Sequence, residues 1–286
     1  MNKTLARLLQ APSVVLLALW MIVPLSMTLY FSTIRYHLLY PEREGFLGLS
    51  NYEFFWTDDA FWPAMSNTLI LVGSVLIISV VVGLALALLV DKPFKGRGIV
   101  RVLLISPFFI MPTVNALVWK NMLMNPIYGL FAVIATAVGV EPLDWLAHAP
   151  LASVIMIVSW QWTPFALLIF MTSLQSQDTE QMEAAMLDGA GFWSRFYHLT
   201  LPHLARPIAI VILIQMIFHL SIFAEIYVTT GGGPGHDSTN LAFLIFQQAL
   251  LQFDVGVASA GGVIAIILAN IVAFFLVRFV GKSLVV

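Results

Sequence analysis

Apolar residues in this chain gather in long runs instead of the alternating or one-face patterns of water-solvated strands and helices. Six runs approach or exceed the roughly 20 residues needed to cross a bilayer: 12–34, 68–90, 102–119, 151–171, 207–228 and 258–277. Only one acidic or basic residue, Glu225, falls inside any of them. Pro24, Pro107, Pro112 and Pro164 interrupt the runs, which membrane helices tolerate where neighbours satisfy the freed carbonyls. The pattern predicts an all-α integral membrane protein of six transmembrane helices. A shorter run, Leu130–Val140, is too short to span and reads as a re-entrant or interfacial piece. Lys3 and Arg7 precede the first run as in a signal peptide. That run outlasts the roughly 7–15 residues of a signal core, and no small-residue cleavage site ends it. It reads as a retained first helix.

Composition agrees. Of 286 residues, 60% are hydrophobic and 10% charged, against about 25% charged in soluble domains. A net charge of −2 gives no reason to expect a nucleic-acid partner. With no cysteine, disulfides, thiolate metal sites and thiol catalysis are excluded; no metal site is expected. Basic residues orient the chain. With the N-terminus cytoplasmic, Lys3, Arg7, Lys92, Lys95, Arg97, Arg101, Arg195, Arg206, Arg278 and Lys282 lie inside, and only Arg35, Arg43 and Lys120 outside. Both termini are then expected in the cytoplasm. There is no repeat between the halves and no soluble appendage, so 1–286 reads as one membrane domain.

Between the fourth and fifth runs lies a cytoplasmic loop, 173–206. Its helix formers suggest a short helix over Glu180–Leu187, broken at Gly189-Ala190-Gly191. A second helix over Phe192–Leu199 should follow, with Pro202 ending the segment. The sequence Glu183-Ala184-Ala185-Met186-Leu187-Asp188-Gly189-Ala190-Gly191, then Arg195, Phe196 and Leu201-Pro202, resembles throughout the EAA motif of binding-protein-dependent ABC importer permeases. The resemblance implies a coupling helix docked on a separate ATPase subunit, with small residues for close approach and Glu183 and Asp188 for polar pairing. It implies that ATP and Mg are held by that partner, with no cofactor in this chain. Gly281-Lys282-Ser283 mimics the end of a Walker A motif, but Leu276 stands where its first glycine belongs. The chain is therefore not expected to be an enzyme.

A second motif follows the fifth run: Thr229-Thr230-Gly231-Gly232-Gly233-Pro234-Gly235, then Ser238-Thr239-Asn240. Its glycines and proline enforce a tight reversal at the outer surface, and Leu241–Phe253 can continue as an amphipathic helix. The turn is similar to that of the first of the two permeases in maltose-type carbohydrate importers. Within that branch, Leu19–Ser32, Ser106–Met122, Leu151–Pro164 and Phe223–Asn240 look most like sorbitol/mannitol permeases. The implied assembly has a second homologous permease, an ATPase dimer, a soluble solute-binding protein and a bacterial inner-membrane location.

Polar residues within the runs mark the expected path of the solute. Gln215, Phe218, His219, Ile222 and Glu225 fall on one helical stripe, and such residues normally face a bundle interior or wet cavity. By resemblance, the family's sugar-contacting positions match Gln215, Phe218 and His219 on the fifth run and Gln161, Trp162 and Phe165 on the fourth. The fourth-run side chains differ from those of maltose permeases, and the amide, aromatic and imidazole groups of the fifth run suit a polyhydroxylated ligand. Asn115 and Trp119 are further candidates. Glu225, one turn from the glycine-rich reversal, is expected to pair locally at a water-accessible mouth. The rival readings are a proton-coupled secondary transporter, which would use Glu225 but leave the loop motif unexplained, and a signalling or scaffold protein, which would leave the polar stripe without purpose.

Overall fold

The computed structural model describes residues 3–281; Lys282 and Ser283 lie outside the described residues. The described residues form two compact units, one of 3–62 with 244–268 and one of 63–243 with 269–281.

The first unit opens with α1 (Lys3–Phe31), whose apolar stretch Leu9–Phe31 has the length of a span. A two-residue antiparallel ladder follows, β1 (Ile34–Arg35) with β2 (Gly45–Phe46), then α2 (Ser50–Thr57). Asn51 ties these together: its Nδ2 donates to the carbonyls of Ser32 and Ile34 at 3.0 and 2.8 Å.

The second unit is built on α3 (Phe61–Asp91) and, after α4 (Arg97–Ile105), α5 (Pro112–Val118), α6 (Leu130–Ala137) and α7 (Trp145–His148), on α8 (Pro150–Gln175). Ala87, Val90, Ala166, Leu167, Phe170 and Leu174 bury an apolar core with Leu204 and Val211. Gly83 permits the close approach: a Cβ there would stand 2.8 Å from Ala166 Cβ and 3.1 Å from the Leu167 backbone nitrogen. The chain continues through α9 (Thr179–Leu187), α10 (Phe192–Arg195), α11 (Leu201–His219), α12 (Ala224–Thr229) and α13 (Leu241–Phe246) to α14 (Val255–Gly281). Among the described residues, five helices are long and apolar enough to cross a membrane, or six if one bent pair counts as a single span. α6, inside the short run 130–140, is an eight-residue helix, in keeping with a piece that does not span.

Three expectations need correction. The run 102–119 is not one straight helix: Arg97–Phe109 and Pro112–Leu123 meet at 107°. Met111 precedes Pro112 and is held extended (ψ 138°), as the proline ring disfavours the helical region there. Pro202 does not end the segment after the loop. Phe192–His219 continues through a π turn at Phe196–Thr200, in which the Leu201 N–H donates to the Phe196 carbonyl; the widened turn accommodates the proline just after it. Finally, the fifth run is broken between His219 and Ala224, so the stripe from Gln215 to Glu225 is not continuous.

Candidate functional site

Two constellations in the second unit carry the candidate residues. The first is the loop at the end of α8. The Asp178 carboxylate accepts from the Glu180 N–H at 2.9 Å, capping α9 at its start. α9 ends at Gly189, whose φ of +80° favours glycine, and the Ala190 N–H returns to the Ala185 carbonyl at 2.9 Å, an ordinary glycine-terminated helix end. Nothing lies within 4 Å of a Cβ placed on Gly189 or Gly191, so their small size relieves no crowding within the chain. Glu183, Ala184 and Asp188 are exposed, Ala185 and Ala190 partly so. Beside them Leu187 is 90% exposed, and Met186, Trp193 and Tyr197 also stand out from the surface. Sequence reasoning took this loop by its small and acidic residues and missed the apolar face, although four large apolar residues within a polar loop were signal enough. Arg195 and Phe196 turn the other way. With Asp91, Lys92, Leu174 and Met182 they border a pocket of about 260 Å³ beneath the loop.

The second constellation surrounds a cavity of about 500 Å³. Four expected residues line it: Gln161, Trp162, Phe165 and Phe218. Four others do so as well: Phe108, Ile110, Pro112 and Ile214. The first three of these sit at the bend of the third run, and the signal that could have placed them is the Pro107–Pro112 spacing. Phe108 packs edge-on against Trp162 with centroids 5.7 Å apart and tilted against Phe165 at 5.6 Å. Most of the lining is therefore aromatic or aliphatic, with one amide.

That amide is committed. Gln161 Nε2 donates to the Ile110 carbonyl at 2.6 Å, and its Oε1 accepts from Asn115 Nδ2 at 2.9 Å. Asn115, fully buried, also donates to the Ile157 carbonyl at 3.3 Å. The pair thus satisfies a carbonyl freed at the bend, and Asn115 is held behind Gln161. Gln215 Nε2 donates to the Trp162 carbonyl at 3.1 Å. Gln215 Oε1 and both ring nitrogens of His219 are buried with no hydrogen-bond partner among the described residues. The two side chains are 0% exposed, whereas Phe218 is 54% exposed. Trp119 lies elsewhere: its indole N–H is buried without a partner and its ring borders a separate, largely apolar cavity of about 560 Å³ with Ser159 and Trp160.

Glu225 is 4% exposed, which corrects the expectation that water reaches it. It sits in the first turn of α12, where a helix N-terminus favours negative charge. The other end of α12 is capped by Lys120, whose ammonium donates to the Val228 and Thr229 carbonyls at 2.9 and 3.0 Å. The glycine-rich reversal beyond it is closely knit. Gly231, Gly232 and Gly235 all have positive φ, and the Gly233–Pro234 peptide is cis. Ser238 Oγ donates to Thr230 Oγ1 at 2.7 Å, Thr239 Oγ1 to the Gly232 carbonyl at 3.1 Å, and Asn67 Nδ2 to the His236 and Thr239 carbonyls at 2.9 Å each. Among the described residues no cluster of His, Asp and Glu is arranged to hold a metal ion.

Comparison with known proteins places this architecture. Residues 8–286 match the family described as the binding-protein-dependent transport system inner membrane component. A probable ABC transporter permease protein of Sinorhizobium fredii, y4oQ, is 35% identical over 251 residues, covering 87% of this chain and 81% of the relative. The trehalose/maltose transport system permease protein MalF of Thermococcus litoralis is 32% identical over 267 residues, covering 92% and 89%. Among solved structures, a bacterial ABC transporter involved in the import of the acidic polysaccharide alginate aligns with a TM-score of 0.77 at 20% identity, over 98% of this chain and 96% of that one. A bacterial alginate ABC transporter in complex with an alginate pentasaccharide-bound periplasmic protein aligns at 0.78 and 20% identity, over 96% and 94%. Its fold is thus that of ABC importer permeases, and the chain belongs to the family of binding-protein-dependent transport system inner membrane components.

Proposed function

We propose that this chain is one permease subunit of an ATP-driven importer of a sugar or polyol, forming half of the path through the membrane. A second homologous permease supplies the other half. A dimer of ATP-binding subunits, holding ATP and Mg, docks on the loop around α9, and a solute-binding protein delivers the solute from outside. The relatives named for trehalose/maltose support a carbohydrate. The polyol assignment, sorbitol or mannitol, rests on the likeness of four sequence stretches and on the side chains at Gln161, Trp162, Phe165, Gln215, Phe218 and His219.

The observation that carries the reading is the exposed face of the loop. Leu187, Trp193 and Met186 stand clear of the chain beside Glu183 and Gly189, and uncovered apolar patches mark partner contacts. In this reading, ATP binding moves the docked loop, the bundle opens outward, and hydrolysis resets it. No residue of this chain performs bond chemistry. The 500 Å³ cavity suits the solute, because aromatic faces cover sugar carbons while a few polar groups fix orientation. Purification with the neighbouring subunits tests the coupling: Glu183→Lys or Gly189→Val should abolish solute uptake or detach the ATPase at unchanged permease abundance. Wild-type uptake in both variants would remove the loop from the coupling path. Uptake competition among sorbitol, mannitol, trehalose and maltose decides the solute.

A further inference from the structure

Among the buried polar atoms of the second unit that have no hydrogen-bond partner, three belong to residues one helical turn apart on α11: Gln215 Oε1, His219 Nδ1 and His219 Nε2. Buried groups left unpaired are rare and call for an explanation, all the more where no bulk water is at hand. Their position supplies one. The Trp162 ring lies edge-on to His219, with centroids 5.0 Å apart and planes at 90°, and packs on Phe218 at 5.3 Å. Trp162 lines the cavity and His219 and Gln215 do not. The indole therefore lies against the His219 ring at the edge of the cavity, and the Gln215 amide is bound to the backbone of the same tryptophan.

We infer that Trp162 is a shutter that sets solute selectivity: its side chain covers the Gln215–His219 pair in the resting conformation and swings aside to present that pair to the solute. The inference rests on the reading of the cavity as the solute's path. With the shutter closed, the cavity offers aromatic faces and one already engaged amide, Gln161, which suits the carbon skeleton of a polyhydroxylated solute and leaves its hydroxyls unmet. With it open, two ring nitrogens and an amide oxygen become available to hydroxyl groups. The movement needs no helix displacement, because the Trp162 backbone is tied to α11 through the Gln215 amide while the ring is half-buried and borders empty space. Hydroxyl recognition is thereby confined to one stage of the cycle, so that a solute accepted at that stage loses its polar partners when the ring returns.

The absence of native cysteine makes single cysteines clean reporters. In the purified importer with its partner subunits and solute-binding protein, Phe218→Cys, His219→Cys and Gln215→Cys are each treated with N-ethylmaleimide, and labelling of this chain is read by intact mass. Phe218→Cys should label quickly without ATP and be protected by whichever of sorbitol, mannitol, trehalose or maltose the importer takes up. His219→Cys and Gln215→Cys should label at least about tenfold more slowly without ATP, as buried sites that react only on local opening do, and should accelerate when ATP is added. Adding Trp162→Ala should make both fast in either condition. Labelling of the two buried sites that is unaffected by ATP, already fast with Trp162 present, or still slow with Trp162→Ala would overturn the shutter while leaving the cavity in place. Failure of a transported solute to protect Phe218→Cys would instead overturn the cavity reading, and the shutter with it.

Discussion

Polar side chains inside the second unit spend much of their hydrogen-bonding capacity on backbone carbonyls at breaks in the helices. Gln161 serves the bend at Ile110. Asn240 serves the break between α11 and α12, donating from Nδ2 to the Ile222 carbonyl at 2.6 Å and accepting the Phe243 N–H on Oδ1 at 2.8 Å. In a bilayer such carbonyls find no water, so each clamp is part of what allows the break to exist. Asn240→Leu should therefore cost more than its volume suggests, since it leaves a buried acceptor and a buried donor unpaired at about 1–3 kcal/mol each. The expected outcome is a clear drop in the thermal midpoint of the detergent-solubilised complex. Asn240→Asp, which keeps the acceptor for Phe243, should fall between the leucine variant and the native protein. Equal midpoints for the leucine variant and the native chain would show that Asn240 does not hold the break. Gly232 makes the complementary case, in which absence of a side chain is what counts. At φ +88° its added Cβ would lie 2.5 Å from Thr239 Oγ1 and 2.7 Å from Phe243 Cε1, so strain and collision coincide there.

Helices α3 and α8 approach closely at Gly83. Small residues let membrane helices approach where no hydrophobic effect drives them together. Because a Cβ at Gly83 meets the backbone of Leu167 as well as the Ala166 methyl, side-chain rotation cannot relieve the contact. Gly83→Leu should separate the helices and destabilise the complex by about 1–3 kcal/mol, the usual cost of overpacking; Gly83→Ala should cost less. Size-exclusion recovery and thermal midpoint would register both, and indifference to leucine would mean the helices have slack between them. Element existence was legible from sequence where a physical signal is local. The long apolar runs gave the spanning helices, and Gly189 gave the end of α9. The third run illustrates the limit: Pro107 and Pro112 were visible, yet a proline can bend a span or merely decorate it, and the clamp from Gln161 decides between these. The break at 220–223 has no proline or glycine at all. Its Ile222 carbonyl is held by Asn240, eighteen positions further on, and a short window of sequence does not contain that information. The candidate cavity divides in the same way: Gln161, Trp162 and Phe165 were named from the family resemblance and Phe218 from that and the helical stripe, whereas Phe108, Ile110 and Pro112 needed the bend and Ile214 the packing of α11.

Orientation and energy source are properties of the whole molecule. The ten-to-three division of lysines and arginines predicts that a cysteine at Glu44 or Asp237 reacts with an impermeant thiol reagent added outside intact right-side-out vesicles, and that one at Lys95 or Ser194 does not; the reverse pattern would invert the topology. Energy source turns on Glu225. A nearly buried carboxylate in a membrane segment is what a proton relay would use, and this is the strongest feature on the side of a proton-driven carrier. Yet a relay needs an alternating connection to both faces, and Glu225 sits in the first turn of a six-residue helix whose far end is fixed by Lys120. Its setting is that of a charge or hydrogen-bonding group placed at a helix N-terminus to secure a short rigid element. The two roles separate in proteoliposomes containing the complete importer, with ATP held constant inside the compartment that contains the ATPase subunits. Under those conditions a protonophore should leave the initial rate of uptake within about twofold of control, because a collapsed proton gradient removes no driving force from an ATP-coupled cycle. Glu225→Gln should keep that insensitivity and lose stability more than rate, since the amide remains polar but forfeits its attraction to the positive end of α12. Collapse of uptake on adding the protonophore at constant ATP, restored by an imposed proton gradient and absent from Glu225→Gln, would give Glu225 the relay and transfer the chain's energy coupling from the α9 loop to α12.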